Sequence, residues 1–94
     1  MAKYEMLYLL NNDLTDEAKE EKIAKYENVI KSMNGGVEST DKWGTKKLAY
    51  PIKFKNEAFY VLSVFEADGI VVNELTRVAG IDSDVVRIMI TKLA

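Results

Sequence analysis

The sequence predicts an α+β fold in which two helices cover one face of a four-stranded antiparallel sheet. Apolar residues fall into six segments whose order is βαββαβ, and a chain of 94 residues is long enough for only one core. A hydrophobic fraction of 48% is ample for a packed interior and excludes a disordered tail. We therefore expect one domain that spans residues 1–94.

A buried strand and an amphipathic helix come first. Residues 4–10 are apolar apart from Glu5, with aromatic and aliphatic side chains, as is typical of a strand. Thr15 is the predicted N-cap, because the acids that follow it would lie where the helix dipole favours them. Gly35 or Gly36 is predicted to end the helix in the left-handed conformation. The apolar stripe recurs at spacings of three and four and consists of Ile23, Tyr26, Ile30 and Met33.

Residues 37–52 predict a long strand or strand pair that contains a β-bulge. Val37 and Trp43 share one face of a regular strand, whereas the later apolar residues fall at even positions on the other face. One inserted residue keeps the apolar side in register, and Gly44 is the natural place for it. Pro51 has no backbone N–H to donate, so the strand is predicted at a sheet edge.

The other strands complete the sheet. Residues 53–57 are interpreted as a polar turn, residues 58–65 as the third strand and residues 85–91 as the last one. Right-handed crossovers place the first and third strands in the centre. The result is a ferredoxin-like βαββαβ sandwich.

The second helix is predicted to begin at Asp68 or Gly69 and to end at Gly80. Its valines are only moderate helix formers, so packing must stabilise it. Two overlapping inward stripes are possible: Val71, Leu75 and Val78, or Val72, Leu75 and Ala79.

The sheet face away from the helices is predicted to bind a protein partner. If even positions of the first and last strands face the helices, they place four residues in the core: Met6, Tyr8, Ile88 and Ile90. Alternation along the strands then places the following residues on the open face: Glu5, Leu7, Arg87 and Met89, with Phe59, Val61 and Ser63 if the third strand keeps this parity. An apolar centre with charged margins is typical of a protein-binding surface.

A basic island lies between two acidic segments. Residues 41–56 contain five lysines against a single acid, whereas acids are in excess in residues 1–40 and 57–94. The five lysines are Lys42, Lys46, Lys47, Lys53 and Lys55, and three aromatic residues lie between them. This composition indicates a surface that contacts phosphates and carries stacking groups. A solvated hairpin that is merely rich in lysine is the alternative.

The residue types argue against an enzyme. Without cysteine or histidine, the chain has no thiolate nucleophile, no cysteine zinc site and no usual general base near neutral pH. The sequence also contains no phosphate loop and no metal-ligand spacing. We therefore expect no catalytic residue, cofactor, bound metal or small-molecule substrate.

Two other functions are possible on this fold. An RNA-recognition motif would carry a basic-glycine-aromatic signature on its third strand, but residues 55–62 lack the glycine and most of the rings. A metabolite-sensing module is the second alternative. The apolar run near the N-terminus is too short for a signal sequence or a membrane span, so a cytoplasmic protein without membrane contact is expected.

Several motifs resemble the bacterial family of small-subunit ribosomal protein number six. The specific ones are Trp43-Gly44 and the run Lys46-Lys47-Leu48-Ala49-Tyr50-Pro51-Ile52. Weaker matches extend in order from about residue 3 to residue 92: Tyr4-Glu5, the helix end at Gly35-Gly36, Phe59-Tyr60 and Arg87. The family often has arginine where this chain has Lys46 and Lys47, and lysine keeps the charge but loses the planar fork.

The resemblance implies a ferredoxin-like, non-enzymatic protein of the small ribosomal subunit. Such proteins bind the central domain of small-subunit ribosomal RNA together with small-subunit ribosomal protein eighteen. The five lysines of the basic island are then the predicted RNA-binding residues. The predicted partner-binding residues come from the open face and the hairpin: Glu5, Leu7, Trp43, Tyr50, Phe59, Val61, Arg87 and Met89.

Overall fold

The computed structural model describes residues 1–52 and 55–93 and has the predicted order of elements. These are β1 (Ala2–Asn11), α1 (Asp16–Ser32), β2 (Gly36–Ile52), β3 (Lys55–Ala67), α2 (Gly69–Gly80) and β4 (Val85–Lys92). The described strands pair in antiparallel fashion in the order β2-β3-β1-β4. The central positions of β1 and β3 and the edge positions of β2 and β4 confirm the prediction.

The core lies between the sheet and the two helices. Met6, Tyr8 and Leu10 on β1 are at most 1% exposed and pack with the inward side chains of both helices. They share this face because alternate residues of a strand point the same way. Ile88 and Ile90 on β4 pack against the same cluster, as predicted.

The start of α1 follows the prediction, whereas its end differs. The Thr15 hydroxyl accepts a hydrogen bond from the Ala18 N–H at 3.1 Å, which caps the helix. The left-handed residue after the helix is Asn34, with a φ of 65°, and not one of the glycines. Asparagine tolerates this conformation better than most residues. Gly35 is needed for space instead, because an added Cβ there would lie 2.7 Å from Ile30 Cγ2.

The second helix begins and ends as predicted and combines the two proposed stripes. Its buried residues are Val71, Leu75 and Ala79, which recur at a spacing of four and so lie on one side of the helix. Val72 and Val78 flank this stripe and are half-buried.

A buried carboxylate fastens α1 to the turn between α2 and β4. The Asp82 side chain is 4% exposed and accepts hydrogen bonds from Lys22 Nζ at 3.0 Å, Lys25 Nζ at 3.2 Å and the Tyr26 hydroxyl at 2.9 Å. Burial alone would raise the pKa of Asp82, but these donors and the Asp84 N–H outweigh it and lower the pKa to about 2.

The predicted orientation of β3 is wrong. Val61 pairs with Tyr8, and Ser63 pairs with Met6, so odd positions of β3 face the helices with even positions of β1. Val61 is 0% exposed, and Phe59 packs against the same core. The parity reverses because the register pairs odd with even numbers between β1 and β3, but even with even between β1 and β4. Strand β3 also begins at Lys55, inside the predicted turn; residues 53 and 54 of that turn lie outside the described residues.

Strand β2 contains a bulge one residue before the predicted position, and two further breaks. The prediction that Val37 and Trp43 share one face is wrong, because Val37 packs in the core on the helix side, whereas Trp43 stacks on Tyr60 on the opposite side of the sheet. Lys42 pairs with Val61 and Gly44 pairs with Tyr60, which leaves Trp43 as the inserted residue. Gly44 has a φ of +86°, a conformation that a glycine adopts without strain. Other register shifts occur between residues 37 and 39 and between residues 47 and 52.

Candidate nucleic-acid and protein interfaces

The lysines of the basic island are divided by their contacts. Lys42 lies on the helix side and forms an ion pair with Glu20 of α1. Lys55 forms an ion pair with Asp13 at 2.8 Å, and this hydrogen bond lowers the pKa of Asp13. Lys46 and Lys47 are exposed and form no ion pair with residues 1–52 or 55–93. Lys53 lies outside the described residues.

Lys46 and Lys47, which we call the basic pair, are therefore the best-placed cations for an external phosphate. A lysine that already pairs with a carboxylate must give up that pair before it contacts RNA, whereas a solvated lysine only releases its counterions. Of the four predicted RNA-binding lysines that the structure describes, two thus form ion pairs within the chain, and two form none with residues 1–52 or 55–93.

An aromatic pair with a cation lies beside the basic pair. The bulge directs Trp43 toward the sheet face away from the helices, which we call the outer face. There its ring stacks on Tyr60 with centroids 6.4 Å apart and an interplanar angle of 12°. Lys46 Nζ lies 4.9 Å from the centroid of the Trp43 ring, within the range of a cation–π contact. The indole remains 45% exposed.

The end of β2 curls over part of the outer face. Between Lys47 and Ile52 the regular pairing with β3 is lost, and residues 48–52, the curled segment, lie across the sheet. Leu48 is 8% exposed and packs with Leu9, Ala58 and Val86. The prediction that this face is open is therefore correct only for the part that the curled segment does not cover. Proline at position 51 suits such a departure from a ladder.

A small cavity forms between the curled segment and the sheet. Its volume is about 120 Å³, and its described lining residues are mostly apolar: Leu7, Leu9, Leu48, Ala49, Tyr50, Ile52, Tyr60, Arg87 and Met89. Arg87 donates a hydrogen bond to the Tyr50 hydroxyl at 3.2 Å, which joins β4 to the curled segment. Tyr50 is 60% exposed and Met89 is 40% exposed, so both also offer surface at the rim.

The opposite end of the outer face is acidic. Strand alternation places Glu5, Asp41 and Glu66 on this side, because they pair with residues of the outer face. Glu38 lies among them and forms an ion pair with Lys3 at 3.2 Å. A single lysine thus accompanies four carboxylates at this acidic end of the described surface.

The structure brings together half of the predicted partner-binding residues. Leu7, Tyr50, Arg87 and Met89 all line the cavity, whereas Glu5 lies at the acidic end and Trp43 lies beside the basic pair. Phe59 and Val61 are not available, because they face the helices; the Phe59 ring carries Lys19 Nζ at 4.9 Å.

Sequence reasoning missed three residues of the outer face. The predicted open face includes Glu5 and Leu7 of β1 but not Leu9, the next odd position, which also lies on the outer face. Tyr60 was overlooked because the wrong parity was assigned to β3. Leu48 was recognised as apolar, but its role in covering the sheet depends on the curl, which a strand pattern does not show.

The described residues contain no group of three acidic, cysteine or histidine side chains that could hold a metal ion. No helix among residues 1–52 and 55–93 is long and apolar enough to cross a membrane.

The described surface has a cationic edge, an apolar cavity and an acidic end on a ferredoxin-like scaffold. These features are typical of a protein that binds macromolecules.

Comparisons with known proteins identify the family. A family model described as Ribosomal protein S6 matches residues 3–92. The small ribosomal subunit protein bS6 of Clostridium novyi is 43% identical over 90 residues, which is 96% of this chain and 95% of the relative. The bS6 protein of Fusobacterium nucleatum is 37% identical and covers 98% of both chains.

A solved structure supports the fold. The crystal structure of 30S ribosomal protein S6 from Thermotoga maritima superposes with a TM-score of 0.93 and covers 98% of this chain and 87% of that one. Its sequence identity is 22%, so this likeness concerns the fold alone.

The chain belongs to the ribosomal protein S6 family. The resemblance seen in the sequence is confirmed, and with it the prediction of a non-enzymatic, cytoplasmic protein of the small ribosomal subunit.

Proposed function

We propose that this chain binds the central domain of small-subunit ribosomal RNA together with small-subunit ribosomal protein eighteen. The basic pair contacts RNA phosphates, and the rim of the cavity contacts the partner protein. The observation that supports the proposal is that the basic pair and the apolar cavity are formed by different residues. Two lysines that form no ion pair with the described residues lie at the hairpin, whereas the cavity with exposed Tyr50 and Met89 is lined by other residues.

The RNA contact is expected to be weak on its own. Each phosphate that a lysine neutralises releases about one counterion, and the basic pair can account for only two. The chain carries 15 acids against 13 basic residues, so its overall field repels RNA. A second protein is therefore needed for tight binding at physiological salt.

The cavity and the acidic end support a protein partner that is basic. A volume of about 120 Å³ suits one aliphatic side chain, and its apolar lining would bury that side chain favourably. Four carboxylates at the acidic end of the same face complement positive charge, which favours fast and specific association more than raw affinity. Arg87 at the rim can donate a hydrogen bond to a carboxylate or a carbonyl oxygen of the partner.

The test is a titration of a central-domain RNA transcript with this chain alone, with protein eighteen alone and with both. The expected result is weak binding by either protein and much tighter binding by the pair. Tyr50→Ala and Met89→Ala should weaken binding between the two proteins and leave the weak RNA affinity of the isolated chain unchanged. Tight RNA binding by this chain alone at physiological salt would contradict the proposal.

A further inference from the structure

Trp43 is held in a way that suits recognition rather than packing. A ring that only filled the core would be buried, yet the indole is 45% exposed. It is also well oriented, because it is the inserted residue of the Gly44 bulge and lies nearly parallel to Tyr60, at 12°. A bulge that redirects one side chain is a recurrent device at functional sites.

The groups around Trp43 indicate the chemistry of its ligand. Lys46 Nζ lies over the ring at 4.9 Å, whereas Lys47, the next residue, lies opposite Glu57 on the other side of the strand. A ligand that fits here carries negative charge and a flat π-surface side by side. A nucleotide unit of single-stranded RNA has both, and stacking of bases on aromatic side chains beside cations is how such strands are bound.

We infer that Trp43 stacks an unpaired nucleobase of the RNA, and that Lys46 holds the phosphate next to that base. This inference rests on the proposed function, which it extends from phosphates to a base. The base takes the place of the Lys46 ammonium on the indole, and the released ammonium contacts a phosphate. Stacking is sequence-tolerant, since every base has a π-face, so Trp43 marks an unstacked position and not a particular base.

A partner side chain is the less favoured occupant of this ring. The described residues that line the apolar cavity do not include Trp43. The acidic end of the outer face is complementary in charge to a basic partner. A basic segment of that partner would be repelled by the Lys46 ammonium over the indole. The ring and the cavity are thus suited to different molecules.

The protein supplies its own probe, because Trp43 is the only tryptophan. We would form the complex of full-length chain, protein eighteen and the central-domain transcript, and record tryptophan fluorescence against the same complex made with Trp43→Phe. The difference between the two fluorescence signals is the emission of Trp43 alone. Stacking on a base should quench this emission strongly when RNA is added, and addition of protein eighteen alone should leave it nearly unchanged.

Affinity measurements complete the test. Trp43→Leu keeps an apolar side chain but removes the ring, and should weaken RNA binding by the protein pair about 5- to 100-fold with an unchanged salt slope. Trp43→Phe should restore most of the loss. Ile70→Ala, which truncates an apolar side chain that is 64% exposed at the start of α2, away from the hairpin and the cavity, is the control and should not affect quenching by RNA. Circular dichroism during urea unfolding establishes that the variants are folded.

Failure of the inference is distinguishable from failure of the proposed function. If the wild-type pair binds the transcript without quenching, and Trp43→Leu binds equally well, the nucleobase site is disproved while the proposed function stands. If protein eighteen alone changes the emission and Trp43→Leu weakens only that protein contact, Trp43 belongs to the protein interface. If the wild-type pair does not bind the transcript at all, the proposed function fails first.

Discussion

The two faces of the sheet are built from the same four strands but contact different things. On the helix side, Tyr8, Val61 and Phe65 are at most 1% exposed and belong to a core cluster that includes residues of both helices. On the outer face, Tyr60 and Leu7 remain half-buried beneath a segment of five residues. Two helices cover the inner face, whereas only the short curled segment covers part of the outer face.

Because the two faces differ in burial, substitutions on one should affect mainly stability, and substitutions on the other should affect mainly binding. Burial of a large apolar side chain contributes about 1.5–3 kcal/mol, so substitutions on the helix side act on the free energy of unfolding. On the outer face, where side chains keep part of their exposure, substitutions should act mainly on binding. Variants on the two faces can therefore be compared directly.

The sharpest comparison is between Val61→Asp and Met89→Asp. Val61 is 0% exposed on the helix side, so the aspartate would be an uncompensated buried charge that costs at least about 3 kcal/mol and can prevent folding. Met89 is 40% exposed on the outer face, so its variant should stay folded and lose affinity for the partner. Urea unfolding measures the first effect, and titration with protein eighteen measures the second. Equal stability of the two variants would refute the assigned orientation of β3.

Truncation of the helix stripes is expected to have the next largest effect. Ile30 and Leu75 are both 0% exposed, and Ile30→Ala and Leu75→Ala should each lower the free energy of unfolding by about 2–5 kcal/mol. Leu7→Ala on the outer face is the control and should cost less, because that side chain is only half-buried. A denaturant midpoint equal to that of the wild type would contradict this assignment of the core.

The Asp82 contacts predict acid sensitivity on the helix side. The pKa of Asp82 is about 2 when folded and about 4 in an unfolded chain. A depressed pKa stabilises the fold above the unfolded value, and this contribution is lost as the pH falls from about 5 toward 2. The contribution is about 2 kcal/mol. Urea unfolding at pH 6 and pH 2.5 should show a larger decrease for the wild type than for Asp82→Asn, and parallel curves would exclude this role.

Charge reversal of the basic pair should leave stability almost unchanged. Lys46→Glu with Lys47→Glu is expected to alter the free energy of unfolding by less than about 0.5 kcal/mol. It should flatten the salt dependence of RNA binding, lowering the slope by about one for each phosphate that is no longer neutralised. Lys31→Glu with Lys92→Glu makes the same change in net charge at exposed positions elsewhere and is the matched control. Equal slopes for both double variants would mean that the island is only a solvated hairpin.

Local patterns predicted most of the fold. The cap at Thr15, the stripe through Ile23 and Tyr26, and the bulge at Gly44 each depend on a few neighbouring residues, so the sequence shows them directly. The edge position of β2 followed from Pro51, because a missing donor excludes a central strand.

Features that depend on distant parts of the chain were not predictable in this way. The facing of Val61 is set by the register between β1 and β3, and a shift by one residue would reverse every side chain. Lys42 and Lys55 look like their neighbours in the sequence, yet Glu20 and Asp13 engage them only after folding. The cavity likewise depends on the curled segment reaching Arg87 on the opposite edge strand.

The irregularity of β2 has a consequence for the free protein, before it reaches the ribosome. An exposed edge strand can recruit a strand from another molecule, and this is a common start of aggregation. Register breaks at residues 38, 43 and 48–51 leave runs of only four regular pairs, at 39–42 and 44–47, and both runs carry lysine. A second chain therefore finds no long, flat template along this edge, which favours solubility while newly made chains await their binding partners.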